Sequence, residues 1–117
     1  MAKNINKNTL VNFIENEIDR DMDALNKFIG YFENHVKNFK GAKERNLRCA
    51  LAHKMKPSAQ LFGAEELFSL LCDLDQMRFT NNFDEFNSVV EKVIMLLDPT
   101  LSEIKNNIAI YKISAVA

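Results

Sequence analysis

Apolar residues recur along this 117-residue chain at steps of three and four, and β-branched residues never cluster in strict alternation, a pattern that predicts helices and no strands. Leu10, Val11, Phe13, Ile14 and Ile18 follow a polar leader. They predict a short first helix over about 9–17, with Asn8 or Thr9 as its N-cap, lying as a lid on one end of the core. Met22, Leu25, Phe28, Ile29, Phe32, Val36 and Phe39 then form a stripe about five turns long and predict a helix over about 20–40, capped by Asp19 or Asp21. Lys37, Lys40, Lys43 and Arg45 crowd the end of that helix and the turn at Gly41, where cations complement the helix dipole.

The next apolar stripe, Leu47, Leu51, Met55, Ser58 and Phe62, predicts a helix over about 44–62 that ends at Gly63. Leu67, Leu70, Leu71 and Leu74 face inward from a helix over about 64–79, with Glu65 and Glu66 in its first turn. So short a connection makes the two an antiparallel hairpin. After Thr80-Asn81-Asn82, the series Phe86, Val90, Val93, Leu97, Leu101, Ile104, Ile108 and Tyr111 keeps its phase to the end, over about 83–113. Pro99 falls inside it, and a break with Asp98 as cap is an alternative. The preserved phase favours one long, kinked helix whose last turns extend beyond the bundle. The expected fold is all-α: one domain over 1–117, an antiparallel up-down four-helix bundle with a short N-terminal capping helix.

Charge and cysteine content narrow the function classes. Fifteen basic and sixteen acidic residues leave a net charge of −1, which gives no global basic field for nucleic acid or an anionic membrane. Cys49 and Cys72 have neither metal-ligand spacing nor a disulfide-rich pattern and fit a reducing compartment. The leader has no apolar core of a signal peptide, and no run approaches a membrane span. A soluble, cytoplasmic protein is expected.

One stretch, Ala52 to Ala64, carries candidate chemistry: a histidine beside Lys54 and Lys56, followed by Pro57, Ser58, Ala59, Gln60 and a Gly63-Ala64 step. Advancing about 100° per residue from Leu51, the positions Leu47, Met55, Ser58 and Phe62 fall within roughly 40°, while His53 falls near ~200°. Lys56 and Gln60 lie on either side of about 160°, Cys49 near ~160° and Pro57 near ~240°. The expected exposed face is Cys49, His53, Lys56, Pro57 and Gln60. His53 is therefore expected outside the core, with the Lys56 ammonium one turn away and able to reach whatever binds the imidazole.

The stretch resembles the signature of the histidine-containing phosphotransfer (HPt) domain: a histidine, a basic residue three positions on, small residues, Gly-Ala and a leucine-rich helix. The matching residues are His53, Lys56, Ser58, Ala59, Gly63, Ala64, Leu67, Leu70 and Cys72. The order of the predicted helices is also the family's. Two positions depart from the pattern. Met55 stands for the usual leucine, a nearly volume-neutral exchange. Pro57 stands where a glycine is usual; it presents little bulk but cannot donate its N–H to the carbonyl of His53, so a slight local bend is expected there.

The resemblance implies a relay. His53 would accept a phosphoryl group from the aspartyl phosphate of one receiver domain, that of a hybrid histidine kinase, and return it to the receiver of a response regulator. Phosphoryl transfer depends mainly on in-line positioning and charge neutralisation. Lys56 is the candidate for holding phosphoryl oxygens, Lys54 a weaker one at about 100° from His53, and Gln60 a further donor. Cys49 and Pro57 would take part in docking. The resemblance implies that Mg²⁺ comes from the receiver, and no cofactor of the chain's own is expected. No Walker or kinase glycine-rich loop is present, and three glycines could hardly build one, so the chain is expected to be a relay intermediate and not an enzyme. A single phosphorylatable histidine on a complete bundle suggests a monomer. The other histidine, His35, reads as structural. The competing reading is a helical adaptor that binds receivers without exchanging phosphate, which Pro57 favours.

Overall fold

Polar punctuation sets where the helices start. Asn6 caps the first, its Oδ1 accepting from the backbone N–H groups of Asn8 and Thr9 at 3.1 and 3.3 Å. That moves the start two residues ahead of the expected one: α1 spans Lys7–Asn12 and passes into a single π-helical turn, Phe13–Glu17. Asp21 caps α2, Met22–Gly41, by accepting from the N–H of Ala24. Helix α3 spans Arg45–Phe62, α4 spans Glu65–Gln76 and α5 spans Phe83–Val116. The computed structural model describes residues 4–116; it is all-helical, with no strand among them.

Gly63 stops α3 in the left-handed region at φ 78°. The N–H of Ala64 bonds the carbonyl of Ala59 at 2.9 Å and that of Gly63 bonds Gln60 at 3.1 Å, which closes the helix end and turns the chain at once into α4. Contacts fix the direction of the neighbours. On α2 and α5, Lys40 pairs with Asp98 and Glu33 with Lys105, so the two run antiparallel. On α2 and α3, Phe28 and Phe32 both meet Phe62, again an antiparallel approach. Helix α4 lies between α3 and α5, and α1 against α3 and α5.

The rings of Phe13, Phe28 and Phe32 converge on Phe62 with centroids 5.4–5.7 Å away, uniting the π turn, α2 and α3 at one end of the core. Leu10, Phe13 and Ile14 are all buried, and the backbone N–H of Asn6 bonds the Gly63 carbonyl at 2.7 Å. Helix α5 runs unbroken through Pro99. Pro99 and Met95, whose carbonyl the proline leaves without its helical donor, are both exposed, so water can satisfy the freed oxygen. At its far end Tyr111 Oη donates to Glu15 at 3.1 Å, so the last turns lie beside the N-terminal segment.

One inward position is corrected. Leu47, expected in the core stripe of α3, is 48% exposed, whereas Cys49, Ala52 and Ala59 are fully buried. Because α3 is packed by α2 on one side and α4 on the other, its buried arc is wider than one stripe and leans toward α4.

Candidate functional site

Helix α3 rests on Ala52, Met55 and Ala59, all fully buried, and this fixes what points outward. The His53 side chain is 65% exposed. The Gly63-Ala64 connection is so tight that residues equally far from Ala64 lie level on α3 and α4. His53 and Asp75 each stand eleven residues from it. Their side chains meet: His53 Nδ1 is 3.0 Å from Asp75 Oδ2. Lys56, one turn along α3, donates from Nζ to the same oxygen at 2.9 Å. Arg78 Nη2 lies 3.6 Å from the other carboxylate oxygen.

Asp75 is the hub of this group, with only 17% of its side chain exposed. Its carboxyl is held below the ordinary carboxylate range, first by the hydrogen bond with His53 and next by that with Lys56. The Lys56 ammonium is held above its ordinary value by the hydrogen bond to Asp75. At neutral pH the carboxylate is therefore ionised and can only accept, so Nδ1 of His53 is the donor and Nε2 is the free ring nitrogen.

The other expected site residues are placed apart from this hub. Lys54 is exposed and makes no contact with the hub; its charge acts on His35 of α2. Pro57 lies exposed within an unbroken α3. Gln60 is exposed two turns beyond His53, on the rim of a shallow cleft with Thr9, Glu65 and Phe68. Cys49 does not belong to any docking face. It is fully buried, its Sγ lies 3.4 Å from the carbonyl of Leu74, and burial raises its thiol pKa. The helical-wheel sector near ~160° that places Cys49 outside is the one α4 covers; the same cover leaves Lys56 half-buried.

Sequence reasoning missed Asp75 and Arg78. The signal was present in the hairpin register, since the short turn at Gly63 predicts which α4 residue faces each α3 residue. His35 is buried, with Nδ1 lacking any hydrogen-bond partner and Tyr31 packed edge-on at 4.3 Å. Among the described residues no group of three or more His, Cys, Asp or Glu side chains could hold a metal ion, and no helix is long and apolar enough to cross a membrane. No known family model, curated protein or solved structure matches the chain.

Proposed function

We propose that this protein is a histidine phosphotransfer protein of a multistep two-component relay, built as an antiparallel four-helix bundle capped by α1. The observation that carries the reading is the exposed imidazole of His53, backed by a rigid apolar helix face and flanked one turn away by the Lys56 ammonium. That is the equipment a phosphoryl relay needs: a nucleophile open to a large partner, and a cation within reach of the phosphoryl oxygens. The motif from His53 to Cys72 and the pairwise antiparallel packing of the long helices support the same reading.

In this mechanism Nε2 of His53 attacks the phosphorus of an aspartyl phosphate on a receiver domain. Lys56, already docked at the edge of the site by Asp75, swings from the carboxylate to the incoming phosphoryl group. Pro57 offers no N–H to the His53 carbonyl and little bulk to the docking partner. The partners are the receiver domains of a hybrid kinase and of a response regulator, which bring their own Mg²⁺.

Incubation with a ³²P-labelled receiver tests the reading. Label is expected on the wild-type chain and absent from His53→Gln. Tight receiver binding without label transfer would sink the relay in favour of an adaptor.

A further inference from the structure

Most of the large apolar side chains go to the core, but Phe79, between α4 and α5, does not: it is 87% exposed. The connection that carries it is fixed. Arg45 donates to the Thr80 carbonyl and lies over the Phe83 ring at 5.2 Å, and the backbone N–H of Thr80 bonds the Met77 carbonyl at 3.0 Å. The phenyl ring is thus presented from a set place, which lowers the ordering cost of binding there. Beside it a groove of about 850 Å³ runs between α4 and α5. Half-buried Met77 and buried Val89 give it an apolar floor, and exposed Asp73, Glu85 and Lys92 border it. Chain direction orders these groups. Residues on α4 approach the connection and those on α5 leave it, so Asp73 and Lys92 stand at the inner end, with Phe79 and Glu85 at the outer end. The groove faces away from His53: with Asp75 set at zero, Gln76 lies near ~100° around α4, Asp73 near ~160° and Met77 near ~200°.

We propose that this groove is the contact between two copies of the chain, related by a two-fold axis across it, in place of the monomer expected from the sequence. The axis lays the outer end of each copy on the inner end of the other. Phe79 of one copy then covers Met77 and Val89 of the other, and Lys92 of one meets Glu85 of the other, each contact occurring twice. Ring and groove lie on one surface, so the surface complements itself. Charge favours a second copy over other occupants. A nucleic acid or an anionic lipid surface would meet like charge at Asp73 and Glu85, whereas a second copy brings Lys92. The net charge of −1 also leaves little repulsion between copies. The proposal rests on this surface and not on the phosphotransfer reading, and it keeps both His53 imidazoles open on the opposite face of α4.

Sedimentation velocity of the full chain, from about 1 to about 500 µM, reads the association directly. Wild type is expected to move with concentration from 13.4 kDa toward twice that mass. Phe79→Asp is expected to stay at the mass of one chain throughout, with far-ultraviolet circular dichroism unchanged because the ring supports no core. Lys92→Glu and Glu85→Lys each place like charges together and are expected to weaken association by roughly tenfold or more. Mixed in equal amounts, the two variants restore opposite charges at both crossings, and the dimer is expected to return. A wild type that stays at the mass of one chain at every concentration overturns the proposal and leaves the groove to a different protein. A dimer that Phe79→Asp leaves intact overturns it too, as do charge variants that associate like wild type or that fail to recover on mixing.

Discussion

Lys54 and Lys56 stand two residues apart on α3 and meet different surroundings. Lys56 shares the Asp75 oxygen with His53, whereas Lys54 is exposed and its charge acts instead on His35. Replacing Lys56 with alanine is therefore expected to slow phosphoryl transfer from a receiver by roughly tenfold or more, while Lys54→Ala stays within about twofold. Single-turnover transfer assays on both variants check this, and equal losses would contradict the assignment of faces. His35 shows the opposite situation, an imidazole kept neutral. Burial first, and the Lys54 charge second, lower its pKa below the ordinary 6.5. The unfolded chain then binds a proton at higher pH than the folded one, so stability is lost as pH falls below about 6.5 and on toward the lowered folded value. Tyr31 on its own helix packs edge-on against the ring, and the charge that acts on it from α3 is the Lys54 ammonium, so neither offers a negative charge. Urea midpoints measured at about pH 8 and about pH 5.5 should fall for wild type, and His35→Phe should remove most of that fall.

Among the elements, the hairpin of α3 and α4 does most to build the site, and its turn is where a small change is most damaging. A side chain at Gly63 would be strained at φ 78°, and its Cβ would run into the carbonyl oxygen of Asn6. Gly63→Ala should destabilise the fold by about 2–3 kcal/mol, whereas Gly30→Ala, in open space on α2, should stabilise it by roughly 0.5–1 kcal/mol. Urea titrations compare the two directly. The same turn shows how much the sequence could tell. Gly63, the leucine stripe of α4 and the outward azimuth of His53 are local properties of one helix, and periodicity exposes them. The burial of Cys49 and the arrival of Asp75 are set by a second helix, which a wheel drawn for one helix leaves out. Counting outward from the tight turn on both helices pairs Asp75 with His53, and that count needs nothing beyond the residue numbers. The start of α1 eluded periodicity for a different reason, because Asn6 lies in the polar leader where no apolar spacing marks it.

At the scale of the whole molecule, the site at His53 depends on a core organised from the other end of α3. Phe62 is fully buried, contacts Phe13, Phe28 and Phe32, and immediately precedes the turn that sets the hairpin register. It is therefore a residue at which the N-terminal segment, α2 and α3 all meet, beside the direct contact of Phe13 with Phe28 at 5.0 Å. Truncating it leaves a cavity that three separate elements would have to fill together, and a loss of about 3–5 kcal/mol follows. A domain of this size has about 5–15 kcal/mol in all, so Phe62→Ala should remove roughly a fifth or more of the total. Leu47→Ala, on the exposed flank of the same helix, should change it by about 0.5 kcal/mol or less. Because the N-terminal segment shares the ring cluster with α2 and α3, the loss should appear as one cooperative transition at a lower urea midpoint. Circular dichroism at 222 nm and, in a Tyr31→Phe background, the near-ultraviolet tyrosine signal by which Tyr111 reports on the contact with Glu15 should move together. A tyrosine transition that precedes the loss of helix would mean that the N-terminal segment detaches by itself, and that Phe62 does not join it to the rest of the core.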